Sequence, residues 1–209
     1  MEDVLSVYER PYDPKRPMVC VDEKSKELHT SPRPGLPAKP GRIGRQDYEY
    51  ARAGTCNIFM TVEPLTGKCS AYATERRTLM DFAHHLKSIV DEMYPDADCI
   101  VLVTDNLNTH TMACLYEAFA PAEALRIAQR IEWHYTPEHG SWLNMAEIEL
   151  SVLSRQCLNR RLPDKCAVEK ELAAWEQERN SQPVKINWQF KTADARVKLR
   201  HLYPERMSS

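Results

Sequence analysis

The sequence predicts an α/β fold, a mixed sheet with helices on its faces. Three observations carry this expectation. Short apolar, β-branched runs recur at strand length. The early runs are joined by turns, with no helical segment between them. The later runs, Ile100 to Thr104 and Ile131 to Tyr135, alternate with segments of helical periodicity. Strands joined by turns pair antiparallel, and strands joined through helices pair parallel, so the sheet is expected to contain both.

The elements follow in order. Residues 1–17 read as a short helix and a proline-punctuated linker. Met18 to Val21 is a short buried strand, expected to end on Asp22. Residues 29–46 hold four prolines, three glycines and four cations (Arg33, Lys39, Arg42, Arg45), with no acid. No packed core can be built from that composition. It is expected as a solvated loop or as a basic arm that tracks a phosphate backbone. Asp47 to Arg52 and Cys56 to Val62 read as two strands with Ala53-Gly54 as a turn between them. Pro64 to Lys68 turns the chain into a third, Cys69 to Thr74, so 55–74 is expected as a hairpin.

Thr78 is a candidate N-cap for an amphipathic helix over 78–93, with Leu79, Phe82, Leu86, Ile89 and Met93 on one face. His84 and His85 point about 100° apart on it, so both are expected as surface or packing residues. Ile100 to Thr104 suits a strand covered on both faces, and it ends at Asp105. Residues 112–130 are helical, with an interruption near Pro121. After the strand Ile131 to Tyr135, a turn at His139 and Gly140 aims a helix from Trp142 to about Leu158. Trp142 is expected to anchor it in the core. Asp164 caps a last strong helix, and a basic tail follows.

Bulk composition narrows the function classes. The 209 residues are 43% hydrophobic and 28% charged, ordinary values for a globular protein. The net charge of −2 requires any nucleic acid to be met by local basic patches. Seven scattered cysteines form no CxxC pair, which argues against a zinc ribbon or a redox motif. They are expected as reduced, mostly core residues. No signal peptide is visible, and no apolar run approaches the ~20 residues of a membrane span.

The acids carry the chemistry. Asp22 and Asp105 each close an apolar strand, where a carboxylate without a partner is costly. In a ribonuclease-H-like sheet the first and fourth strands lie side by side, so the two would be neighbours. A third acid comes from the helix after residue 141. Glu147 and Glu149 lie about 200° apart on it, so only one can face the strand ends, and the helical wheel does not choose. Clustered carboxylates suit Mg²⁺ or Mn²⁺, and paired hard cations are a recurrent way to cut and join phosphodiesters.

The segments CVDEKSKEL, VTDNLNTH and YTPEHGSWLNMAEIELSVL resemble the catalytic core of the DDE transposases of the mariner superfamily. The likeness is to the bacterial insertion-sequence six-thirty family, and it runs through KTADARVKLRHLYP. It implies a ribonuclease-H-like mixed five-stranded sheet flanked by helices. It also implies Asp22, Asp105 and Glu147 as catalytic metal ligands, with Mg²⁺ as the cofactor and Mn²⁺ as its substitute. The implied partners are double-stranded DNA, at element ends and target, and a second copy of the chain in a homodimer on DNA. A TA target, cut-and-paste movement and a bacterial cytoplasmic location follow from the same likeness. Met145 departs from it, standing where the superfamily carries Pro.

The implied division is a linker or helix at 1–17, the catalytic domain at 18–180 and a basic tail at 181–209. The helix-turn-helix region that such transposases usually carry before the catalytic domain is expected to be missing. The alternative is therefore a non-catalytic DNA-binding or regulatory fragment, and a third option is a cellular nuclease of the same fold. Around the acids, Asn106 and His110 are candidates to orient Asp105 or touch a phosphate. Asn144 is expected to cap the catalytic helix or contact backbone. Arg155, Arg160 and Arg161 form a basic cluster at the helix end, placed to complement its dipole or contact DNA.

Overall fold

The computed structural model describes residues 1–33, 35–45 and 48–203. Five strands form one sheet: β1 (Met18–Thr30), β2 (Ala51–Glu63), β3 (Lys68–Thr74), β4 (Ile100–Thr104) and β5 (Ile131–Tyr135). Their spatial order is β3-β2-β1-β4-β5. β1, β2 and β3 pair antiparallel, and β4 pairs parallel with both β1 and β5. The expected mixed sheet is thus the observed one.

Side-chain alternation divides the core into two layers. Cys20, Met60, Val62, Val101 and Val103 pack on one face, with α1 (Glu2–Tyr8), α5 (Ala146–Leu153), α6 (Lys165–Ser181) and α7 (Thr192–Lys198). Val19, Val21, Phe59, Ile100 and Leu102 pack on the other, with α2 (Leu79–Ser88), α3 (Ala113–Ala118) and α4 (Pro121–Ala128). Thr78 caps α2 through a reciprocal box with Asp81, and Asp164 caps α6 by accepting from Ala167 N–H at 2.7 Å. Pro121 opens α4 at its first turn, so the helical segment breaks where expected.

Four expectations are corrected. β1 does not end at Asp22; it continues to Thr30. Its outer half pairs with β2 beyond the reach of β4, so it is polar and does not read as an apolar run. The Ala53-Gly54 turn is absent, and β2 runs through it. The register slips there between Glu27 and His29, and Gly54 takes φ 99°, so the glycine serves a bulge rather than a turn. Asp47, the start of the expected strand before it, lies outside the described residues. The helix expected from Trp142 is broken: a turn at Ser141–Leu143 precedes Asn144, and α5 starts at Ala146 and ends in a wider turn at Ser154–Leu158. Trp142 is half-exposed, stacked on Trp188 and edge-on to Phe190, not buried in the core.

Residues 2–8 and 186–196 are both built into the body. Val4, Leu5, Val7 and Tyr8 of α1 are buried in the first core layer. Ile186, Trp188 and Phe190 pack against that layer, and Ile186 N–H donates to Pro64 O at 2.9 Å. Arg196 pairs with Glu2, tying α7 to α1. All seven cysteines are free, five of them buried. Among the described residues no helix is long and apolar enough to cross a membrane.

Candidate active site

The acids converge because of register. Cys20 lies opposite Val103 on the parallel neighbour, and two residues further along each strand stand Asp22 and Asp105. Both share the parity of Cys20, Val101 and Val103, so both belong to the sheet face covered by α5. β4 ends at Thr104 while β1 continues, so Asp22 stands beyond the last pair of the parallel ladder.

Asn144 locks α5 onto this edge. Its side chain is fully buried. Nδ2 donates to Val21 O at 2.8 Å, directly before Asp22, and Oδ1 accepts from Ala146 N–H at 3.1 Å. It contacts strand backbone and caps the helix at once. The turn before it is held from below, where Tyr8 Oη donates to Leu143 O at 2.5 Å. His139 takes φ 59°, and a Cβ on Gly140 would come within 2.5 Å of Pro137, so this turn requires glycine.

The two helix glutamates have different fates. Glu149 is buried and receives a bidentate pair from Arg179 of α6, at 2.7 and 3.0 Å. Glu147 is exposed in the first turn of α5, where the helix dipole favours a carboxylate. Its charge is felt at Asp22. Burial pushes the Asp22 carboxyl up to about 7, and the negative charges of Asp105, Glu23 and Glu147 push the same way. Only the Glu23 N–H, donating at 2.8 Å, opposes them.

Asp105 shows the contrary balance. Burial raises its carboxyl, but hydrogen bonding and charge from His110, the Leu107 N–H and the nearby charge of Arg77 hold it below the usual range. His110 Nδ1 stands 2.5 Å from Asp105 Oδ1, and its Nε2 stands 2.9 Å from Glu23 Oε2. Burial pulls the imidazole down, but the two carboxylates at its nitrogens outweigh it and hold the ring up at about 9. His110 is therefore joined to Asp105, whereas Asn106 lies exposed in the turn.

The basic cluster is divided. Arg160 pairs with Glu171 and donates to Cys157 O. Arg161 donates to the carbonyls of Tyr48 and Glu49 and lies over the Tyr50 ring. Arg155 is exposed. Four participants were missed in the sequence: Tyr8, Glu23, Arg77 and Arg179. Only Glu23 left a signal, an acid directly after Asp22.

Among the described residues no three His, Cys, Asp or Glu side chains are gathered as a ready metal cage. The donor chemistry nonetheless fits a hard divalent cation, because Asp22, Asp105 and Glu147 offer only oxygen. The mutual repulsion that raises Asp22 is the kind a bound cation relieves.

The sequence profile described as DDE superfamily endonuclease matches residues 17–169. The chain belongs to this family. Two solved structures place the DDE fold among ribonuclease-H-like transposase and integrase cores. A chain of the crystal structure of the Mos1 strand transfer complex superposes with a TM-score of 0.52 at 17% identity, covering 83% of this chain and 51% of that one. A chain of the cryoEM structure of the simian T-cell lymphotropic virus intasome, in complex with PP2A regulatory subunit B56 gamma, superposes with a TM-score of 0.50 at 15% identity, covering 95% and 58%. The DDE chain thus spans little more than half the length of either. No curated protein sequence matches it.

Proposed function

We propose that this DDE endonuclease is a metal-dependent transposase catalytic domain that cleaves DNA at the ends of a mobile element and joins the freed 3′-OH to target DNA. One observation carries the reading: strand register and alternation bring Asp22 and Asp105 to the same edge and face, under a helix start that presents Glu147. The family match and the resemblance to a strand transfer complex and an intasome support it. The Leu143-Asn144-x-x-Glu147 pattern favours the insertion-sequence six-thirty family within it.

In this reading Asp22, Asp105 and Glu147 hold Mg²⁺, or Mn²⁺ in its place. Bound there, the ions would supply activation of the attacking oxygen and stabilisation of the leaving one. The chain's own residues do the positioning. Asn144 keeps Glu147 at a fixed place relative to β1, and His110 fixes the orientation of Asp105. Arg77 and Arg155 offer positive charge to the phosphate backbone at the rim. The first reaction is attack of water on a phosphodiester, which leaves a 3′-OH. The second is attack of that 3′-OH on a target phosphodiester, with another 3′-OH as leaving group. A homodimer on DNA, acting in a bacterial cytoplasm, completes the proposal.

Replacing Asp105 by Ala in the purified chain is expected to abolish Mn²⁺-dependent nicking of element-end DNA while the circular dichroism spectrum is retained. Nicking that persists in Asp105→Ala would refute the assignment.

A further inference from the structure

Glu23 follows Asp22 but points to the opposite face of β1, the face of Val19 and Val21 beneath α2. Its side chain is 3% exposed, and a carboxylate buried to that degree needs a partner. The partner is His110 Nε2 at 2.9 Å. The other ring nitrogen, Nδ1, meets Asp105 Oδ1 at 2.5 Å and Thr104 Oγ1 at 3.1 Å. Phe82 of α2 covers the ring, with centroids 4.1 Å apart. With a carboxylate at each nitrogen, the imidazole is held between the two, hydrogen-bonded to Asp105 and ion-paired with Glu23. It cannot turn without stranding a buried acid. The Leu107 N–H also reaches Oδ1, at 3.3 Å, so the bonds that Asp105 accepts from these neighbours all fall on one oxygen.

We propose that Glu23 is a positioning residue for the metal-binding acid: acting through His110, it pins Oδ1 of Asp105 and leaves the other oxygen available to a divalent cation. The chain of contacts runs from β1, through the loop after β4, to the carboxylate. It therefore sets where Asp105 stands relative to Asp22 on the same strand. This rests on the reading of Asp22, Asp105 and Glu147 as metal ligands. The competing explanation is that Glu23 and His110 merely stabilise the fold.

Isothermal titration of the full chain with Mn²⁺, beside thermal melting of the metal-free chain, separates the two. Glu23→Leu keeps the volume and removes the acceptor. It is expected to bind Mn²⁺ about 10- to 100-fold more weakly, the usual effect of losing a group that orients a metal ligand. Glu23→Ala is read the same way should Glu23→Leu not fold. Glu23→Gln keeps an amide oxygen beside Nε2 without the charge and is expected to recover part of the lost binding. Loss in Glu23→Leu with recovery in Glu23→Gln supports the proposal. Wild-type affinity in a folded Glu23→Leu or Glu23→Ala, with only the melting temperature lowered, overturns it. An equal loss in Glu23→Gln also overturns it, because the oxygen beside Nε2 then has no part in holding the ring. If the wild-type chain binds no Mn²⁺, or Asp105→Ala binds it unchanged, the metal reading itself fails and takes this proposal with it.

Discussion

Two glutamates two positions apart on α5 stand in opposite environments. Glu149 is buried against Arg179, and removing one member of such a pair leaves the other charge uncompensated. Glu149→Ala is therefore expected to lower stability by roughly 3 kcal/mol in urea unfolding. Glu147 is exposed and carries no burden of packing. Glu147→Ala is expected to stay within about 0.5 kcal/mol of wild type while losing nicking activity. Stability lost in Glu147→Ala with activity kept would exchange the two roles. The helical wheel alone left this choice open, since it shows that the two residues face apart but not which side meets the sheet.

At the scale of elements, the proline-rich basic segment is more ordered than its composition suggests. Lys39 and Arg42 exchange backbone hydrogen bonds of 3.0 and 2.8 Å around Pro40-Gly41, and Leu36 and Arg45 do the same at 2.8 and 2.9 Å. Gly41 takes φ 76°, the conformation a Pro-Gly type II turn needs. The result is a small hairpin projecting between β1 and β2, with Leu36 and Ile43 exposed. Pro34, Gln46 and Asp47 lie outside the described residues. If the hairpin tracks phosphates, Lys39, Arg42 and Arg45 act without regard to base sequence. Replacing all three by Ala is expected to weaken binding to any duplex and to reduce the slope of log affinity against log salt by roughly 2 to 3. Fluorescence anisotropy across a salt series measures both. An unchanged slope would leave the hairpin with no part in DNA binding.

For the whole molecule, the second core layer carries a pH liability. His85 is fully buried between α2 and β2, sharing a hydrogen bond of 2.9 Å with Thr61 and packed on Phe59 and Tyr72. Burial, aided by the positive charge of His110, pushes its imidazole down from 6.5 to about 3. The folded state therefore binds fewer protons than the unfolded state below pH 6.5. This contribution to stability is complete above that pH and is lost as pH falls toward 3. Between those limits stability should decline by about 1.4 kcal/mol per pH unit from this group. Urea midpoints measured from pH 7 to 4 should fall less steeply in His85→Leu, although that variant starts less stable. Equal slopes would show that His85 is not the titrating group.

The sequence by itself determined the mixed sheet, the helix caps and two candidate acids, with the third left between Glu147 and Glu149. Those signals are local: β-branched runs, a Thr or Asp before a helix, an acid at the end of an apolar stretch. Periodicity and composition record what a residue does to its own neighbours in the chain. The tertiary structure alone decided which acids are buried in ion pairs and which stand open at the sheet edge. Arg179 lies thirty residues from Glu149, and His110 lies far along the chain from Glu23, so neither pairing leaves a local trace. β1 was read short for the same reason, because its polar half is held by pairing with β2 and not by burial. Charge pairing and strand register act across space, and only a folded chain brings their partners together.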